Sequence, residues 1–189
     1  MQALLQPLSK LGEYEEIKNR IEKNRGILQL AGCIDSQKAH VIYGLGQEKK
    51  NRLVIAENEL KAKELYEDLK FYYPDVFYYP ARDLIFFEAD IHGNLLTKQR
   101  MQVIAALLEK KSVTVVTSIS GCMDYLLPIS VLKKHVLHFK NDSVLDTEAL
   151  KKELINMGFE YNAQAEAPGQ FAMRGGIVDI FLLTEENPV

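Results

Sequence analysis

Tryptophan is absent from the 189 residues, cysteine occurs only twice, and neither sign of charge dominates: 23 Lys and Arg stand against 26 Asp and Glu, a formal net charge of −3. Cys33 and Cys122 lie far apart and fit no metal or redox spacing, so they read as free thiols of a reducing cytoplasm rather than as a disulfide framework. The missing basic excess argues against a dedicated nucleic-acid clamp. No apolar run approaches the roughly 20 residues of a membrane span. The first 23 residues, MQALLQPLSKLGEYEEIKNRIEK, carry neither an apolar signal core nor a small-residue cleavage site, so neither a leader nor a membrane partner is expected. Internal repeats and low-complexity tracts are missing too. What is present is an apolar fraction of 47 %, enough to bury a core in one ordinary domain or two small ones.

Charge is not spread evenly. Residues 1–128 hold 17 basic and 17 acidic side chains, whereas residues 129–189 hold 6 and 9 and supply the whole net charge. The difference suggests a boundary near Pro128. Up to that point helix and strand signals alternate. Residues 13–23 carry Tyr14, Ile17 and Ile21 at helical spacing, and 27–31 (ILQLA) form a strand candidate followed at once by Gly32. Residues 36–45 read as a helix, 52–56 (RLVIA) as a buried strand, and Asn58 as the N-cap of a helix running to about Phe71. Residues 76–79 are a further strand, 95–110 a long amphipathic helix, and 113–117 (VTVVT) a fully buried strand. This alternation predicts an α/β half-domain with a parallel sheet covered by helices. After Pro128 the expectation is a small α+β unit. It has a strand within 131–139, a helix over 147–157 capped by Asp146 and closed by Gly158, and strands at 160–166 and 170–183 around the turn dipeptide Pro168-Gly169.

The segment Gly32-Cys33-Ile34-Asp35-Ser36-Gln37-Lys38-Ala39 falls on the phosphate-loop template G-x-x-x-x-G-K-[ST] at Gly32 and Lys38, in what reads as a strand–loop–helix context. The two other anchors are missing. Gln37 puts a side chain where bare backbone approaches phosphate, and Ala39 lacks the hydroxyl that would hold magnesium. Asp35 adds a negative charge to a helix start that would otherwise favour anions. No acidic pair follows any strand to hold a metal. The reading is a P-loop fold kept as a scaffold, with ATP binding and hydrolysis lost.

The segment Phe171-Ala172-Met173-Arg174-Gly175-Gly176-Ile177-Val178-Asp179-Ile180-Phe181 resembles the F-x-x-R-G-x-hh-[DE]-hF block shared by the excision-repair helicase UvrB and the transcription-repair coupling factor (Mfd) family. The likeness takes in most of the chain after residue 25: the loop at Gly32, Tyr79-Pro80-Ala81-Arg82-Asp83, Gln99-Arg100, Val115-Val116-Thr117-Ser118 and Gly158-Phe159-Glu160. UvrB has an intact phosphate loop and a long aromatic hairpin that clamps DNA. Here the loop is degenerate, and residues 71–83 (FYYPDVFYYPARD) are too short for that hairpin. Both departures favour the coupling factors. The resemblance then implies a RecA-like (P-loop NTPase-type) domain 1a without ATPase function over residues 1–128. Residues 129–189 would be a UvrA-docking domain 2, cut short at Val189. It assigns Arg174 to UvrA contact. It also implies that the parent is an ATP- and Mg-dependent translocase, with RNA polymerase and double-stranded DNA bound elsewhere in the longer protein. Leu182-Leu183 departs from the family, which usually has Pro after Ile-Phe. The alternative is a working P-loop ATPase or helicase domain of a UvrB-like repair protein.

Residue chemistry supports Arg174 independently. Alternation along Phe171, Met173 and Gly175 sends it to the opposite face, and an exposed Arg forks onto carboxylates and is enriched at interface hot spots. The competing reading is a surface ion pair with Asp179 or Glu166, worth little. Tyr72, Tyr73, Tyr78 and Tyr79 with Arg82 suggest either base stacking or, with so little positive charge nearby, core aromatics. His135 and His138, three apart, point to opposite faces of a strand and lack further ligands. Asp83, Glu88, Asp90 and His92 form an acidic stretch without a nucleophile or oxyanion element. The charged helix over 57–70 reads as a solvated face with Lys61–Glu64 and Lys63–Glu67 pairs.

Overall fold

The computed structural model describes residues 2–23, 26–46, 51–82, 90–109, 112–139 and 144–189, with only the backbone described for 2–4 and 90–94. They fall into two compact units, one of residues Met1–Arg82 with Glu109–Met123 and one of Asp83–Leu108 with Asp124–Val189.

The first unit begins with helices α1 (Gln2–Ser9), α2 (Tyr14–Glu22) and α3 (Asp35–Leu45). Its sheet is parallel, with strands β1 (Asn51–Ala56), β2 (Val76–Tyr79) and β3 (Val113–Ser118) in the order β1-β3-β2. The β-branched run of β3 takes the central place and is buried along its whole length, as a strand flanked on both sides must be. Its register is continuous, from Asn51 opposite Val113 to Ala56 opposite Ser118 on one side, and from Val76 opposite Thr114 on the other. Helix α4 (Glu59–Lys70) starts where Asn58 Oδ1 accepts the Lys61 N–H at 2.9 Å, satisfying one of the free donors of the first turn. It lays Ala62 and Leu69 against Val76 and Val116, with Ala39, Tyr43 and Tyr73 completing the cluster. Full burial of a side chain such as Leu69 stabilises by about 1.5–3 kcal/mol. Short helix α6 (Ile119–Cys122) follows β3 directly, its first turn capped by Ser118 Oγ, which accepts the Gly121 N–H at 3.0 Å.

The second unit contains α5 (Asp90–Glu109, with its last residue in the first unit), α7 (Ile129–Leu132), a 3-10 turn (Lys133–His135) and α8 (Thr147–Asn156). Strands β4 (Glu160–Tyr161), β5 (Gln170–Arg174) and β6 (Ile177–Ile180) follow, with β4 parallel and β6 antiparallel to β5. Asp146 Oδ1 accepts from the N–H groups of Glu148 and Ala149 at 3.1 and 3.0 Å, fixing the start of α8. At its end Gly158 has φ +92°, which puts the Phe159 N–H on Leu154 O at 2.9 Å and the Gly158 N–H on Ile155 O at 3.0 Å, a Schellman closure. Leu150 and Leu154 of α8 pack on Phe171 and Ile180, with Met173 and Val178 beside them, so one face of the β5–β6 hairpin is the core of this unit.

Several expectations are corrected. Residues 27–31 form no strand, and Ile27 is almost fully exposed. A strand needs a neighbour to take its N–H and C=O groups, and no described strand lies beside this run. Strand β1 is not buried but an edge strand whose outer-face Leu53 and Ile55 are 62 % and 52 % exposed. Residues 131–139 hold α7 and the 3-10 turn instead of a strand, because Pro128 O accepts the N–H groups of Val131 and Leu132 at 2.9 and 3.2 Å and starts a helical turn. The strand expected over 160–166 stops at Tyr161, because Gln170 Oε1 captures the N–H groups of Glu166 and Ala167 and curls the chain. The single strand expected over 170–183 is a hairpin. Gly175 and Gly176 have φ of +53° and +97°, the pattern of a two-residue type I′ turn that side-chain-bearing residues resist.

Candidate partner-binding face and the loop at Gly32

The hairpin sorts its side chains by the two-residue period of a strand. Phe171, Met173, Val178 and Ile180 face α8, and Ala172, Arg174, Ile177 and Asp179 share the other face. Arg174 stands opposite Ile177 at the turn, where the two glycines leave it uncrowded, and its side chain is 55 % exposed. Its Nη2 donates to Asp179 Oδ2 at 2.7 Å, a diagonal cross-strand pair. The surface pair weighed from sequence therefore forms, and Arg174 is also presented outward. Glu166 is engaged through its backbone N–H by Gln170 instead. The remaining guanidinium donors of Arg174 have no acceptor among the described residues, which leaves them available to a carboxylate from outside.

In the first unit, Gly32 has φ +83° and the chain enters α3 through Ile34. Gln37 occupies the third helical position, and its Oε1 accepts the Ile34 N–H at 3.4 Å, so the residue on the second-glycine position caps the helix. Ala39 is 1 % exposed and faces the core cluster with Tyr43. Lys38 donates to Asp35 Oδ1 at 2.7 Å, and Lys61 reaches Asp35 Oδ2 at 3.4 Å and Glu64 at 2.9 Å. Hydrogen bonding and charge from Lys38, then the charge of Lys61, hold the Asp35 carboxyl below the ordinary carboxylate range, while Glu64 and Asp35 raise Lys61. Beside it lies a groove of about 390 Å³ at the carboxyl end of β1, lined by Asp35, Glu57, Glu64 and Asp68 against only Lys38 and Lys61. This is the end of a parallel sheet where α/β folds place ligands. Its lining repels an anion. The strand–loop–helix context read from sequence is reduced to loop and helix, since residues 27–31 are not a strand.

A hydrogen-bonded node that sequence reading missed lies at the same end of the sheet. Glu59, at the start of α4, accepts from the Tyr78 hydroxyl through one oxygen and from Ser118 Oγ through the other. Burial, and then the hydrogen bond and charge of Glu59, push the Tyr78 phenol well above its usual range. The node ties α4, β2 and β3 together. The other tyrosines of residues 72–79 are packed as well: Tyr72 stacks on His40 at 5.7 Å, Tyr73 lies under the Arg52 guanidinium at 4.5 Å with its hydroxyl on Ile42 O and Tyr43 O, and Tyr79 is buried. Base stacking on these rings is not open to a ligand in this packing. In the second unit Arg100, 5 % exposed, donates to Asp124 at 2.7 Å. His135 lies 3.7 Å from Glu153 on the 3-10 turn, so the strand geometry assumed for His135 and His138 does not apply. Residue 83 and residue 88 lie outside the described residues, as do the side chains of Asp90 and His92.

Residues 137–189 match the family model described as the UvrB interaction domain. The chain is 29 % identical over 180 residues to the transcription-repair-coupling factor of Bacillus subtilis (strain 168), covering 94 % of this chain and 15 % of that protein. To the factors of Staphylococcus epidermidis (strain ATCC 12228 / FDA PCI 1200) and Staphylococcus aureus (strain NCTC 8325 / PS 47) it is 27 % and 26 % identical, over 72 % and 74 % of its own length and 12 % of each of theirs. It thus spans only about a seventh of the curated relatives it matches. Among the described residues no helix is long and apolar enough to cross a membrane.

Proposed function

From its likeness along most of its length to transcription-repair-coupling factors, we propose that this chain is a non-catalytic interaction module of such a factor. Its role is to recruit the excision-repair protein UvrA to a stalled RNA polymerase in the cytoplasm. The observation that carries this reading is a coincidence of place. The UvrB interaction domain match over 137–189 takes in α8 and the β5–β6 hairpin, the element that turns Arg174 outward. Residues 129–189 are then domain 2, and Arg174 offers its fork to a UvrA carboxylate.

Residues 1–128 are on this reading a RecA-like domain 1a whose loop of Gly32, Gln37, Lys38 and Ala39 no longer serves a nucleotide. Three features support it: Asp35 occupies both lysines, Gln37 is used as a cap, and the neighbouring groove carries more carboxylates than cations. This piece needs no cofactor. ATP and Mg belong to motor parts of the longer protein, as do the contacts with RNA polymerase and double-stranded DNA. A net charge of −3 fits a chain that is itself not a strong nucleic-acid binder.

The test is capture of UvrA by the chain and by Arg174→Glu. The proposal expects capture by the first and a loss of at least about tenfold in the second; equal capture removes Arg174 from the interface. Titration with Mg-ATP is expected to give no saturable binding. Binding that disappears in Lys38→Ala would instead support a working phosphate loop of the UvrB-like ATPase type.

A further inference from the structure

The face that carries Arg174 holds two other side chains with no assigned role. Ile177, directly opposite Arg174 across the hairpin, is 63 % exposed. Asp179, two residues further along β6, has a half-buried side chain whose Oδ2 holds Arg174 Nη2 at 2.7 Å. An isolated Arg on a strand surface samples many rotamers and loses that freedom when it binds. One fixed bond to a carboxylate anchored on a packed strand removes much of that cost beforehand, while the other donors stay open. Beside the fork, Ile177 places a branched apolar side chain at the same tip, projected by the tight Gly175-Gly176 turn.

We propose that Arg174, Ile177 and Asp179 act as one recognition unit. Asp179 is a positioning residue that holds the Arg174 fork for a partner carboxylate, and Ile177 enters a shallow apolar pocket next to that carboxylate. The inference rests on the reading of this face as the UvrA-binding surface, and deepens it by stating what the partner presents there: an acidic side chain flanked by an apolar depression. The open donors of Arg174 select an acceptor group, since Asp179 takes only one of them and a carboxylate matches the planar geometry of the rest. The opposite face is committed to the core under α8 and cannot serve.

Calorimetric titration of UvrA with the 189-residue chain tests it. Arg174→Ala and Ile177→Ser are each expected to weaken binding about tenfold, and Asp179→Ala about fivefold through the lost pre-organisation. Asp179→Asn keeps an oxygen acceptor in the same shape and is expected to recover most of that loss. In the Arg174→Ala background, Asp179→Ala is expected to change affinity by less than about twofold, because a residue acting only through another has nothing left to act on. Unchanged or tighter binding by Asp179→Ala, or the same fivefold loss without Arg174, overturns the positioning role. Wild-type affinity in Ile177→Ser overturns the apolar contact. If the unaltered chain does not bind UvrA, the functional reading itself falls, an outcome distinct from the other three.

Discussion

Replacing Phe171 by alanine removes the ring on which the second unit is built. Phe171 is completely buried, touched by Leu150, Leu154 and Ile180. A buried Phe covers roughly 150–250 Å², and at about 25 cal/mol per Å² the lost transfer term alone is several kcal/mol. Measured losses for such truncations run at about 3–5 kcal/mol, because the cavity closes only in part. A unit of about 90 residues has roughly 5–14 kcal/mol in total, so the substitution removes about a fifth of its stability or more. Absence of tryptophan makes fluorescence a poor probe, and hydrogen exchange read by mass spectrometry suits the two-unit organisation better. Peptides from α8, β5 and β6 are expected to lose protection by about 10² to 10⁴-fold in Phe171→Ala. Peptides from α4 and β3 keep theirs. Phe171→Leu, which retains most of the volume, is expected to lose much less. Unchanged protection in α8 would refute the assigned core, and an equal loss in β3 would refute its confinement to the second unit.

Three further outcomes follow from local chemistry. Asp146→Ala deletes the acceptor for two amides at the start of α8 and is expected to cost about 1 kcal/mol, read as a lower melting point of the second unit by circular dichroism. Asp124→Ala leaves the buried Arg100 guanidinium without that carboxylate and is expected to cost about 2–4 kcal/mol by urea titration, somewhat under a fully buried pair because Asp124 is partly exposed; a change below about 1 kcal/mol would contradict the geometry. Tyr78, held neutral by burial and by Glu59, is expected to ionise above the ordinary tyrosine range in an ultraviolet titration, and a high-pH step that persists unchanged in Tyr78→Phe would contradict this. Because its folded pKa lies above the unfolded value near 10, that stabilisation is complete below pH 10 and is lost as pH rises further. Tyr78→Phe is therefore expected to flatten part of the alkaline loss of stability.

The elements whose boundaries depend on neighbouring residues were legible. Asn58, Asp146 and Gly158 mark helix ends through bonds spanning two to five residues, and the structure places them as caps and closure. The β-branched run at 113–117 reads as a fully buried strand, and the structure gives it the central place that burial on both faces requires. Residues 27–31 misled because a strand is decided by a neighbour that no local pattern reveals. The Gly175-Gly176 turn was readable in principle: a Gly-Gly pair between alternating apolar residues is a hairpin signal, and the long apolar run concealed it. The outward direction of Arg174 is legible through strand alternation, which the turn at Gly175-Gly176 leaves intact. The Glu59–Tyr78–Ser118 node was not, since its members are separated by 19 and 59 residues and each alone is unremarkable.

The carboxylate at the start of α3 bears on what it would take to seat a phosphate at this loop. An incoming phosphate would compete for Lys38 and Lys61 with an anion that is covalently part of the chain and so is present at the same effective concentration at all times. Placing glycine at Gln37 would remove a helix cap, and placing a hydroxyl residue at Ala39 would force extra atoms into a filled core at about 1–3 kcal/mol. Either change alone is thus unfavourable, while Asp35 still holds both lysines. The loop is self-consistent as a helix start: each single substitution towards an anion site costs stability before the site exists.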